Sequence, residues 1–533
     1  MRKLIGIVIM TLLIGTVVLP VVNSMNKSLD ENNLSAMPLD VEWSKTYGDE
    51  GYDVFYCVHQ TQDGGYIMSG KYEENDLYFP YLLKVDSIGD EQWDWTMQEI
   101  EYNGTTYDIL ENWVPAVEPT SDGKYVACMY VTVEYEGAEI SAGCLVKVDE
   151  LGNLEWLSYL FEEDGWWFIP TEIIEISDGY VMSGYGNNID IYYSDAMLVK
   201  TDLSGEIIWH KFYEYGDFSD EANALYQTDD GGFLLTGSVN HELNDADFRM
   251  IKTDSNGDVE WSKIYGGTEV DISYHHDCFQ TADGGFIMGG HGYSYGFGKL
   301  DAWIVRTDNL GNMVWDKSYG GKQVDTCWSM EMTDDDKYVI CVTMNFQGIA
   351  GDKSDTHLVK LDDDGNVEWV QIFGGPGQEI GISVRQTDDG GFIVAGRNGV
   401  SYSSRSDALL VKFAPFENQR PNQPDKPSGP AKGRPDTEYT FSTTPTTDPD
   451  GDQVSYRWDW GDGNFTDGSN EESYTWATKD NFEVRVKAVD ENGGESEWSE
   501  PLPFSTPKTK YTTLYQLILW RLIERFPLLE QLV

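Results

Sequence analysis

One phrase recurs seven times along this chain of 533 residues. A clear copy reads Trp261-Ser262-Lys263-Ile264-Tyr265-Gly266-Gly267, then Gln280-Thr281-Ala282-Asp283-Gly284-Gly285-Phe286-Ile287, then Asp301-Ala302-Trp303-Ile304-Val305-Arg306-Thr307-Asp308. Trp43, Trp93, Trp156, Trp209, Trp261, Trp315 and Trp369 mark the successive copies. A period of roughly 50 to 60 residues means one supersecondary unit repeated as an array.

Each copy divides into four short runs rich in Val, Ile and aromatics, separated by Asp, Gly and Asn turns. That pattern predicts an all-β chain with four strands per unit. In the last copy they are Ile382–Thr387, Phe392–Gly396 and Asp407–Phe413, after the tryptophan run Val367–Phe373 of the copy before. Glycine after the aspartate supplies the positive φ of a tight hairpin. Three copies lack one or both of these glycines, at Asp122-Gly123-Lys124, Asp178-Gly179-Tyr180 and Asp335-Asp336-Lys337, and altered turns are expected there. A four-stranded unit is the blade of a β-propeller. The chain opens on the tryptophan run Val41–Tyr47 and the array ends on Asp407–Phe413, so pairing of these two would close seven blades and remove both open edges.

The phrases Gln-Thr-x-Asp-Gly-Gly-Phe-Ile and Leu-Val-Lys-Thr-Asp resemble the repeats of exported bacterial and archaeal propeller-like proteins, over residues 40–415. The resemblance implies a fold and no conserved catalytic site. Residues 416–436 carry Pro421, Pro424, Pro427, Pro430 and Pro435 and read as a stiff extended linker. Beyond them, Trp458-Asp459-Trp460-Gly461-Asp462-Gly463 resembles the core of the PKD domain, an immunoglobulin-like β-sandwich of cell-surface proteins, here assigned to residues 437–507. Trp460 departs mildly from the aromatic usual at that place. Alternation around Val484 and Val486 suits a half-buried sandwich strand.

Residues 1–24 have the form of a signal peptide: Arg2 and Lys3, an apolar stretch from Leu4 to Leu19, then small residues at Val22-Asn23-Ser24. A secreted or cell-surface protein is expected. Over residues 511–533, Leu514, Leu517, Ile518, Leu522 and Phe526 recur at helical spacing, predicting an amphipathic helix that contacts an envelope or membrane surface. Net charge is −56, from 92 acidic and 36 basic residues. Such a potential excludes nucleic acid as a partner, because phosphates require Lys and Arg.

Six cysteines are too few for a disulfide framework in a chain this long. Cys327 with Cys341, and Cys128 with Cys144, are symmetric about turns and are the disulfide candidates. No cofactor is required. Asp448, Asp450 and Asp452 offer the hard oxygen ligands that calcium takes. The nucleophile elbow, phosphate loop and paired-histidine zinc motif are missing from the sequence. The turns are short on one face of each unit, so the long connections gather on the other. There Trp166, Trp167, Tyr192, Tyr193, His275, His276, His291, Tyr293 and Tyr295 are the candidate ligand-binding residues, since exposed aromatics suit stacking on sugars or packing on protein. The expected function is non-catalytic surface binding or adhesion toward a glycan or protein. A glycosidase or lyase on the same scaffold, or a structural envelope component, is the alternative.

Overall fold

The computed structural model describes residues 39–506 except 49–50, 76, 103, 136–137, 161–164, 189–192, 217, 243–244, 274–277, 297, 345–353, 376, 400–404, 417, 450–451 and 491–492, together with Ile518 and Arg521. The expected signal segment 1–24 lies outside the described residues, as does the expected helix 511–533 apart from those two. Among the described residues through 506, every regular element is a strand. The chain divides into two compact units that meet at Pro415 and Phe416.

The first unit is seven antiparallel sheets in chain order. The first comprises Val54–Gln60, Tyr66–Glu74, Leu77–Val85 and Glu91–Thr96. The second adds a short strand, Glu99–Tyr102, to Thr105–Pro119, Tyr125–Tyr135, Ala138–Val148 and Leu154–Tyr159. The third starts at Trp166–Ile176, the fourth at Asp220–Gln227, the fifth at Asp271–Ile272 and Cys278–Gln280, and the sixth at Thr326–Met332. The seventh holds Gln378–Gln386, Phe392–Gly399 and Ser406–Phe413, and its fourth strand is Val41–Tyr47 from the other end of the unit. That pairing runs from Val41 opposite Phe413 to Tyr47 opposite Ala408.

The repeated phrase is explained by two contacts. Within a sheet, the basic residue of Leu-Val-Lys-Thr-Asp reaches the aspartate of the Asp-Gly turn, as in Lys84–Asp63 at 2.9 Å, Lys147–Asp122 at 2.8 Å and Lys412–Asp389 at 2.9 Å. Lys200–Asp178, Lys252–Asp230, Arg306–Asp283 and Lys360–Asp335 complete the set. Burial would raise Asp230, but hydrogen bonds from Thr228, Lys252 and Gly232 outweigh it and hold its pKa at about 2. Between sheets, six of the seven tryptophans, all but Trp369, lie on the glycine of the next sheet's second turn. A Cβ on Gly152 would stand 2.7 Å from the Trp93 ring, and one on Gly311 2.8 Å from that of Trp261. Only glycine fits beneath the indole.

Apolar clusters couple the first sheet to the second, the second to the third, and so on to the sixth. Sixth and seventh are joined by Asp334 N–H donating to Gln386 Oε1 (2.7 Å). The cluster of Phe55, Met68 and Leu83 with Ile393, Ala395 and Leu410 joins the seventh to the first.

The altered turns turn out to be mild. Asp336 takes the positive φ (60°) that glycine takes elsewhere, and Thr120 to Lys124 keeps the usual closing hydrogen bond. Only Ile176–Gly179 is a shorter hairpin.

The disulfide expectation fails on register. Met129, not Cys128, faces Cys144, so the two side chains leave opposite sides of their sheet and enter different clusters. A bulge at Trp328 likewise sets Val342 opposite Cys327 and Ser329 opposite Cys341. All six cysteines are buried thiols, none of them in a disulfide. Burial pushes Cys57 up to about 11 and Cys144 to about 12, far from the reactive thiolate range. The native protein should therefore give no reaction with a thiol reagent and six equivalents once unfolded, with a melting temperature indifferent to reductant.

The second unit packs Glu438–Ser442 and Glu471–Thr475 as one sheet and four further strands, including Val454–Asp459 and Asn481–Asp490, as another. Trp458 and Trp460 stack at 5.4 Å, and Trp476 meets Phe441, Phe482 and Phe504. Residues 416–436, expected to be a stiff extended linker, group with this unit. Pro421, Pro424 and Pro427 are buried, and Asn422, Ser428 and Gly433 donate backbone hydrogen bonds to Thr447, Ser442 and Ser505. Proline supplied the extended shape without detaching the segment.

Candidate functional site

In the second strand of each sheet, one position varies while its surroundings repeat. It holds Lys71, Tyr130, Tyr185, Ser238, His291, Thr343 and Arg397. The residue before it is usually glycine, because the first strand approaches closely at a bulge. A Cβ on Gly70 or Gly396 would lie 1.9 Å from a carbonyl oxygen of that strand. The bulges expel one extra residue, Tyr56, Thr171, Asn223, Trp328 or Ile382. Bulges re-aim side chains, and they recur next to functional sites.

In four neighbouring sheets, the seventh and first to third, these positions build an arc of half-buried rings, with Lys71 half-buried and Arg397 buried beside them. Tyr56 meets Trp113 edge-on at 5.2 Å, and Trp113 meets Tyr130 at 5.7 Å. Tyr185 meets Trp167 at 6.3 Å. Two cations approach the Tyr52 ring, Lys71 Nζ at 5.4 Å and the Arg397 guanidinium at 5.3 Å from its centre. Lys71 Nζ is also 4.3 Å from the centre of the Tyr78 ring. Burial pushes the Lys71 pKa down, the carboxylates of Glu111 and Glu73 pull it back up, and Arg397 lowers it further. Burial likewise raises Tyr130 and Tyr185 to about 12, so both stay neutral hydroxyls. The arc offers ring faces and fixed charges on strands that packing holds rigid.

The loop residues expected to bind divide. Tyr193 and Tyr293 are 40% and 52% exposed and remain on the surface. Trp167 is half-buried and joins the arc through Tyr185. Trp166 is 6% exposed and stacks on His210 at 4.4 Å, because the strand Trp166–Ile176 draws it into the core. His291 is 6% exposed, and burial lowers its pKa to about 4. Tyr295 stacks on Trp303 at 4.5 Å and donates to the Gly266 carbonyl, so it braces a loop. Tyr192, His275, His276 and Asp450 lie outside the described residues. Asp448 and Asp452 are buried in the second unit, and no group of three His, Cys, Asp or Glu placed to hold a metal occurs among the described residues.

At the turn end of the first strands a second group gathers from four sheets. Arg385 is 3.4 Å from Glu331, and His59 is 3.8 Å from Glu118. Burial raises Glu118 to about 7 and Glu331 to about 6, and Arg385 opposes both shifts. Folded-state values above the unfolded value near 4.3 mean that the folded state binds the extra protons. Stability from this pair is therefore present below about pH 4 and is lost as pH rises through 6 and 7. The turn aspartates act oppositely, losing stability only as pH falls below about 4. From these groups alone, thermal stability should be greatest near pH 4 and fall steadily toward pH 8. Glu118→Gln should flatten that alkaline limb.

Residues 418–501 match the family model of the PKD domain. Over the same region the chain is 36% identical to the PKD domain of M14-like peptidase from Thermoplasmatales archaeon SCGC AB-540-F20, covering 17% of this chain and 100% of that one, with a TM-score of 0.16. The chain carries a PKD domain. Its Trp-Asp-x-Gly-Asp-Gly segment places Gly461 and Gly463 at positive φ (72° and 90°), and Asp462 accepts a hydrogen bond from Tyr474 at 2.9 Å. Trp460, the departure noted in the sequence, stacks on Tyr474 at 4.7 Å and donates to Thr466 Oγ1, so it serves the PKD core. Outside the PKD domain similarity is remote. Sqt1 from Chaetomium thermophilum is 11% identical over 70% of this chain and 98% of its own, with a TM-score of 0.39. The endo-arabinase from Bacteroides thetaiotaomicron VPI-5482 is 12% identical over 57% and 94%, with a TM-score of 0.30. No curated protein sequence matches the chain.

Proposed function

We propose that residues 40–415 form a closed seven-bladed β-propeller, that the chain acts outside the cell, and that it binds a glycan without catalysis through the aromatic arc. Closure is supported by one hydrogen bond used repeatedly between neighbouring sheets. Tyr213, Tyr265 and Tyr319 hydroxyls donate to the carbonyls of Gly257, Gly311 and Gly365, and Tyr47 of the closing strand donates to Gly89 in the same way. At the turn end, Asp388 N–H donates to Gln60 as Asp229 does to Gln280. The PKD domain supports an extracellular or surface setting.

The arc carries the binding reading. Aromatic faces fixed between strands stack on sugar rings with little ordering cost. Trp113 is the natural probe, since it touches both Tyr56 and Tyr130. Trp113→Ala should weaken binding on a glycan array by at least about tenfold, with no sugar turnover by either protein. Wild-type release of reducing ends from the same glycans would instead make the protein an enzyme.

A further inference from the structure

We infer that the second sheet carries a separate site for a small organic cation, one aromatic ring on a short chain that ends in an ammonium group. The sheet is built larger than the repeat requires. Its strands Tyr125–Tyr135 and Ala138–Val148 run 11 residues each, against 7 for the matching strands of the fifth and sixth sheets. Its strand Thr105–Pro119 begins in a hairpin with Glu99–Tyr102 and bulges between Ile109 and Glu111 and again between Trp113 and Ala116. Bulges bend a strand. The added length encloses a cavity of about 170 Å³. Val131 with Ala142, and Val133 with Ile140, stand opposite each other on one face. Ile100 with Tyr107, a third opposed pair, and the Tyr159 ring line the same space. Tyr130 of the arc precedes Val131 and so leaves the other face of the sheet.

The lining sets the apolar part of the ligand. Ile100 and Val131 are buried, whereas Ile140 is 45% exposed, so the cavity opens at the Ile140 end. The Tyr159 hydroxyl donates to the Glu101 carbonyl, and its ring meets Tyr102 edge-on at 5.5 Å. An apolar cavity of about 150 Å³ stays dry and holds one benzene ring. Charge sets the rest. The strands around the opening expose Glu99, Glu101, Glu134 and Glu139. No Lys or Arg occurs from Met97 to Gly123 or from Tyr125 to Val146. Burial first, then Cys144, Glu101 and Tyr102, push the Tyr159 hydroxyl up to about 12, so this wall stays neutral while the carboxylates outside it are charged. At physiological salt the screening length is about 8 Å, so several carboxylates bordering one opening act together on a bound charge. They favour an ammonium there and oppose a carboxylate.

The test titrates the full-length protein, by ligand-observed NMR, with 2-phenylethylammonium, neutral 2-phenylethanol and 3-phenylpropionate. The ammonium should bind with a Kd of about 1 mM or tighter, about three- to tenfold tighter than the alcohol, with the carboxylate weakest. Ala142→Phe, which fills the cavity, should weaken the ammonium at least about tenfold. Ile140→Lys changes an exposed position at the opening, so it should fold as the wild type does and make the carboxylate the tightest of the three. Absence of saturable ammonium binding by the wild type would overturn this inference. So would equal affinity for the three probes, or an order that Ile140→Lys leaves unchanged. None of these outcomes bears on glycan binding by the arc.

Discussion

A chain lacking residues 25–48 is expected to melt more than about 10 °C below the full-length protein and to aggregate on heating. The deleted strand Val41–Tyr47 is the outer strand of the seventh sheet. Its loss strips the cover from Leu410 and Ala408, against which Trp43 and Tyr47 pack, and removes the Tyr47 link to Gly89. It also leaves Ser406–Phe413 as a bare apolar edge, a template for pairing with other chains. Two half-buried aromatics and about five ladder hydrogen bonds amount to roughly 5–8 kcal/mol, comparable to the whole stability of a domain. Tyr47→Phe should remove only the Gly89 link, about 1 kcal/mol. Equal melting of truncated and full-length protein would show that the seven sheets do not depend on closure.

Trp476→Ala should erase the PKD domain's own thermal transition while the larger unit melts as before. Trp476 is 1% exposed, sits among Phe441, Tyr474, Phe482 and Phe504, and donates its indole N–H to the Trp460 carbonyl. Replacing such a residue costs about 3–5 kcal/mol. A domain of this size holds roughly 4–13 kcal/mol in total. Differential scanning calorimetry would resolve the two transitions, and a matched fall in both would contradict the division at Pro415 and Phe416.

The tryptophan and glycine positions, the strand count per repeat and the Val41–Tyr47 pairing were legible because repetition multiplies a weak signal sevenfold. The partner of each was not legible, since Trp93 meets Gly152 only across a sheet boundary. Spacing also misplaced the cysteines, because symmetry about a turn says nothing of a bulge or a one-residue offset. Composition varies most in the loops, and the expected site residues fall there. Trp166 and Tyr295 lie there in sequence yet pack inward, as strands extend further than turn signals reveal. Lys71, Tyr130, Tyr185 and Arg397 were hidden inside strands. Their signal was the reverse of the repeat: a place after the glycine where seven otherwise similar copies disagree.

The closing pair has a mechanical meaning. Val41 and Phe413 stand opposite each other, and Ala414 N–H donates to the Asp40 carbonyl at the same end. Chain entering and chain leaving the seven-sheet unit are therefore neighbours. Tension transmitted through the flanking segments would not load the seven sheets together. It would pull at one end of an antiparallel ladder and part its hydrogen bonds one at a time, as a zip opens, from Val41 toward Tyr47. A protein tethered at both flanks would yield first at that strand, at low force, with the other sheets still folded and the strand free to pair again when the load falls.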